Sequence, residues 1–143
     1  GTGAALSAAI ASAHKRGEPA LYYYWGPTWV MGLYDSYRLE EPAYDQSIFD
    51  KLKTDPNPKK ATAYPESTVT VGVNTEFMKS APKLIEFLTH YETSNAMVSE
   101  MLAYMQENEE KPEDAALYFL KEKPDVWKAW VPEKVAERVE AAL

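Results

Sequence analysis

The chain has 143 residues, 45% hydrophobic and 13% aromatic, enough apolar material for one ordinary globular domain and too much for a disordered segment. Its 15 basic and 22 acidic residues leave a net charge of −7, which disfavours nucleic acid and anionic membrane surfaces as partners. Cysteine is absent, so neither a disulfide framework nor a thiolate metal site can form.

Thr2 or Ser7 is placed to cap a first helix running to about Arg16, with Leu6, Ile10 and Ala13 on one stripe and Gly17 as its stop. His14 falls near the C-terminal end, where the helix dipole favours a cationic imidazole, and reads as a surface residue. Residues 19–25 form an apolar and aromatic run between Gly17 and Gly26-Pro27, the pattern of a buried strand stopping at a turn. Trp25 then stands at the carboxyl end of that strand, where open α/β sheets bind their ligands.

Pro27 supplies the preset φ of a first helical position for a short helix over residues 28–31. A tryptophan face beside helix-start N–H groups suits a ligand with a cation at one end and an anion at the other. A quaternary ammonium group has no hydrogen to donate and is selected by aromatic faces, whereas a carboxylate goes to N–H groups at a helix start. The competing reading is that Trp25 and the tyrosines at positions 22, 23 and 24 are simply core.

Residues 37–40 read as a short edge strand closed by Pro42. Glu40 and Glu41 are adjacent and point to opposite faces of an extended segment, so they form no acid/base pair. A helical turn or two follows over residues 45–51, and then residues 53–60, rich in proline and charge, form an exposed mobile loop. Residues 67–73 alternate Val69, Val71 and Val73 with Thr68, Thr70 and Gly72, the period of a strand. A candidate hinge lies around residues 64–74, and Asn74 is placed to cap the next helix, 75–80.

From Ala81 the chain reads as helical to its end. Pro82 opens a helix with Leu84, Ile85, Leu88 and Tyr91 inward, and His90 has no metal-like partner at helical spacing. Thr93 or Ser94 caps a helix whose stripe is Met97, Val98, Met101, Leu102 and Met105. Pro112 starts another, with Ala115, Ala116, Phe119 and Leu120 inward, and Lys123-Pro124 breaks it. Trp127 and Trp130 share a face and read as a packing pair, and Pro132 begins a last helix buried along Val135, Val139 and Leu143. Three strands against six or so helices is the inventory expected when partner strands lie elsewhere.

Several of these stretches resemble the substrate-binding proteins of ABC transporters for glycine betaine, choline and related quaternary amines. The resemblance is carried by Gly1-Thr2-Gly3-Ala4-Ala5-Leu6, by Gly17-Glu18-Pro19 through Trp25-Gly26-Pro27-Thr28-Trp29, and by Leu39-Glu40-Glu41-Pro42. Val69-Thr70-Val71-Gly72-Val73-Asn74 to Phe77, Ala81-Pro82 and residues 127–132 extend it along the chain. The W-x-P-x-W element is the specific one.

The resemblance implies an α/β fold of the type II periplasmic-binding-protein-like kind, here a lobe fragment with a helix-rich C-terminal part. Residues 1–66 would form a portion of the ligand-binding lobe, and residues 67–143 a connecting strand and the helical C-terminal portion. It implies a periplasmic or extracellular membrane-associated receptor that hands its ligand to a membrane permease, with no cofactor. Residues 1–3 show no secretory signal, so that localisation rests on the resemblance. Trp25 would be one wall of an aromatic cage, with Gly26, Thr28 and Trp29 as nearby groups. Family members often carry a histidine where this chain has Thr28, which leaves open whether a carboxylate is held and hence betaine against choline.

Family members are roughly twice this length, so the chain reads as a C-terminal half, completed by a missing N-terminal half or by a second copy of itself. One desolvated cation–π contact is worth about 2 kcal/mol, whereas even millimolar affinity needs about 4 kcal/mol. One wall does not make a receptor. An enzyme is disfavoured, because neither His14 nor His90 stands in a nucleophile–base motif and no phosphate loop or zinc motif is present. The alternative is a helical interaction module with a structural aromatic core and no small-molecule ligand.

Overall fold

The computed structural model describes residues 2–143. Among them are nine α-helices and one 3₁₀ turn, and no strand. The chain packs as two compact units, Gly1–Ser36 with Val73–Leu143, and Tyr37–Gly72.

In the first unit, helix α1 (Gly3–Arg16) begins at Thr2, whose hydroxyl accepts from the Ala5 N–H at 3.3 Å. It ends at Gly17, where φ is 66°, a left-handed conformation that glycine adopts without a Cβ penalty. Helix α2 (Trp29–Leu33) follows the turn at Gly26-Pro27, a cis peptide, and is capped by Thr28. Pro27 therefore precedes the cap and is not the first helical residue expected of it.

Helix α2 lies against helix α6 (Asn95–Asn108) at very close range. A Cβ at Gly32 would stand 2.7 Å from the Ser99 carbonyl carbon and 2.8 Å from the Ala103 Cβ, and closer still to the Ser99 carbonyl oxygen. Only glycine fits this crossing. Val30 is fully enclosed beside it, and Ser99 and Ala103 are the buried residues of α6. The methionine stripe expected to seal α6 is only half-buried.

Helices α4 (Thr75–Ser80) and α5 (Pro82–His90) follow Asn74, whose side chain caps α4 through the Glu76 N–H at 2.8 Å. Ser94 caps α6 in the same way, and Pro112 and Pro124 open α7 (Pro112–Glu122) and α8 (Pro124–Trp127). The 3₁₀ turn Lys128–Trp130 and α9 (Glu133–Glu140) complete the unit.

Its hydrophobic centre is Trp127, Trp130 and Ala136, surrounded by Phe87, Phe119, Leu120 and Val139. The Trp130 ring stacks on Phe119 at 5.7 Å and meets Tyr91 at 4.8 Å. Trp127 is equally enclosed and its indole N–H donates to the Leu120 carbonyl at 2.7 Å. Leu84 and Val135, expected inside, are exposed, because the helices turn Phe87 and Ala136 toward the tryptophans instead. Lys123, at the end of α7, is paired with Glu100 of α6 at 2.8 Å, and that hydrogen bond raises the ammonium pKa.

The second unit holds α3 (Gln46–Leu52), capped by Asp45 through the Ser47 and Ile48 N–H groups. The Thr62 hydroxyl is buried, accepts from the Asp45 N–H at 2.7 Å and donates to the Ala43 carbonyl at 3.1 Å. Phe49 stands between the rings of Tyr44 and Tyr64.

The α/β expectation is not met within the described residues. The segments read as strands, 19–25, 37–40 and 67–73, are extended or irregular and form no ladder. Val69 and Val71 are 92% and 52% exposed. A strand is defined by a ladder with a neighbouring segment, and no such ladder forms among the described residues.

Candidate functional site

The Trp25 indole, at the end of the aromatic run, is 50% exposed. Tyr24 stacks against it with ring centroids 4.5 Å apart and planes 20° from parallel. Successive residues of a flat strand point to opposite faces, so this stacking shows that the backbone bends just before the Gly26-Pro27 turn. The indole edge reaches the start of α1: a Cβ built on Gly3 would lie 3.2 Å from Trp25 Cη2. Trp25 is thus an open aromatic surface backed by a second ring and resting on a helix start.

Of the other three expected residues, Gly26 adjoins Trp25 in the chain, whereas Thr28 and Trp29 have other surroundings. Gly26 is exposed, and the carboxamide of Asn95, the first residue of α6, stands close to it, 3.7 Å from where a Gly26 Cβ would be. Thr28 is buried, its hydroxyl accepting from the Met31 N–H and its own N–H donating to the Ser99 hydroxyl at 3.2 Å. That side chain serves the α2–α6 crossing.

Trp29 faces another opening. It meets the Tyr34 ring edge-on at 6.1 Å and, with His14, Tyr34, Gln106 and Glu107, lines a cleft of ≈ 520 Å³. His14 covers part of Tyr34, the two rings being 4.3 Å apart. The structure therefore separates the two indoles of the W-x-P-x-W element, one on Tyr24 and one on Tyr34.

His90 is engaged through Nδ1 with the Glu86 carbonyl at 2.8 Å. No group of three His, Asp or Glu side chains is close enough to hold a metal ion among the described residues. Tyr24, Gly3 and Asn95 escaped the sequence reading. Only the run of aromatics hinted at Tyr24, and nothing local marks the other two.

The family described as the substrate binding domain of the ABC-type glycine betaine transport system matches residues 1–122, and the chain belongs to that family. This is a solute-binding family and not an enzyme family. Its membership gives the chain a place in a glycine betaine ABC transport system, with a ligand and a membrane permease as the partners that role requires.

Proposed function

We propose that Trp25 is one wall of an aromatic cage for a quaternary ammonium solute, glycine betaine, choline or a similar amine, with Gly26 beside it. The observation that carries this reading is the half-exposed indole stacked on Tyr24, since a cation is attracted to a ring face that solvent can leave. Thr28 and Trp29 act at one remove: Thr28 fixes the turn through Ser99, and Trp29 borders the adjoining cleft.

The receptor works outside the cytoplasm, periplasmic or membrane-associated, and delivers to a permease. Among the described residues no helix is long and apolar enough to cross a membrane.

The chain acts as a half. Residues 1–66 belong to the ligand-binding lobe and residues 67–143 to its connecting and helical portion. The remaining cage walls come from a preceding half, or from a second copy when the chain stands alone. Supporting this are the extended segments without ladder partners and the energetic insufficiency of one cation–π contact. Family membership does not favour the helical interaction module.

Tryptophan fluorescence of the intact receptor, titrated with choline, glycine betaine and a tertiary-amine control, tests the reading. Trp25→Ala is expected to abolish the response to the quaternary amines. Trp130→Ala is expected to leave affinity near normal while lowering stability by about 3–5 kcal/mol, the usual cost of emptying a large aromatic site. No response to any quaternary amine, or the reverse assignment of the two tryptophans, rejects it.

A further inference from the structure

Gly3 stands at the first position of α1 with no backbone requirement for glycine: Gly17 is the glycine with positive φ among the described residues. Glycine is a poor helix former in a helix interior but costs little at the first position, so what distinguishes Gly3 is the space beside it. That space is taken by Trp25. A Cβ on Gly3 would stand 3.2 Å from Cη2 and 3.7 Å from Cζ2 of the indole, tighter than ordinary van der Waals contact at the first atom. The six-membered edge of the ring therefore rests in the space a side chain would fill, while Tyr24 supports its face.

We propose that Gly3 is a positioning residue for the ligand wall: the missing side chain sets how deeply the Trp25 indole seats against α1 and hence where its open face is presented. This rests on the reading of Trp25 as a cage wall. Cation–π attraction depends on the cation lying over the ring and close to it, so a ring lifted at one edge loses contact with a cation held by the other walls. An alanine Cβ requires the edge to give by a few tenths of an ångström, and leucine, a good helix former that adds atoms beyond that Cβ, is expected to demand more.

The test compares Gly3→Ala and Gly3→Leu in the intact receptor, with Trp25→Ala and Trp25→Phe as references. Three readouts are taken: affinity for choline and glycine betaine, thermal midpoint, and acrylamide quenching of the Trp25 signal without ligand, isolated by difference from Trp25→Phe. The expected result for Gly3→Ala is a roughly three- to tenfold loss of affinity, and more for Gly3→Leu, at an equal or raised thermal midpoint and with altered ligand-free quenching. A purely structural role would lower midpoint and affinity together, and that outcome overturns the proposal. So does wild-type affinity and quenching in Gly3→Leu. If Trp25→Ala binds normally, the cage reading is what fails, and the ligand-free quenching still reports whether Gly3 seats the ring.

Discussion

A methyl group added at Gly32 has nowhere to go. It would overlap the Ser99 carbonyl and press on the Ala103 side chain, both on a helix that cannot retreat without uncovering Val30. Gly32→Ala is expected to destabilise the first unit by at least about 1–3 kcal/mol, the cost of overpacking, measured by denaturant unfolding. An unchanged midpoint would mean that α2 and α6 do not cross this closely. The same crossing engages Thr28: its N–H donates to the Ser99 hydroxyl and its hydroxyl accepts from the Met31 N–H of the helix it caps. Small residues four apart on α6, Ser99 and Ala103, were the only trace of this crossing in the sequence. The methionine stripe beside them is half-buried, and the closest contact of α6 is made by its small residues.

At the scale of elements, helix ends were the legible part. Thr2, Gly17, Asn74, Ser94 and the prolines at 82, 112 and 124 act through their own neighbours in sequence, and each stops or starts a helix as expected. Strands were not legible in the same way, because residues 67–73 have the alternation of a strand, but a ladder depends on a second segment that local alternation does not specify, and none forms among the described residues. Helix faces fell between the two. Phe87 and Ala136 face the tryptophans and Leu84 and Val135 do not, a choice set by distant partners. As for the candidate site, the aromatic run pointed to Trp25, whereas the contact of its indole edge with Gly3 on α1 comes from the fold.

Helix α3 carries a pH-dependent element. The Asp45 carboxyl is held below the ordinary aspartate value, first by the Ser47 hydroxyl and next by the Ile48 N–H. A lowered folded-state pKa means that the unfolded chain takes up the proton more readily. The cap's contribution is therefore complete above the ordinary aspartate pKa and is lost as pH falls through the depressed one. Helical chemical shifts of residues 46–52 are expected to fade across that acidic window. Asp45→Asn, which keeps a capping oxygen without titrating, should reduce the dependence and leave the part due to Asp50, whose carboxyl is also held low, by Gln46 first and then Lys53.

For the whole molecule, the question is what takes up the strand-like residues 67–73, which form no ladder among the described residues. The chain by itself is expected to associate as concentration rises, seen by light scattering, with Thr70→Lys weakening the association by placing a charge in the candidate pairing segment. A compact monomer across a wide concentration range would remove the second-copy proposal.

Residues 67–73 hold seven positions without a single charge, three of them valine, with Val69 almost wholly bare to water. Such a window is the composition from which cross-β fibrils nucleate. Pro65 and Glu66 before it and Glu76 after it stand where gatekeepers stand, a proline and charges flanking an unavoidable apolar run that would otherwise template aggregation of a newly made chain.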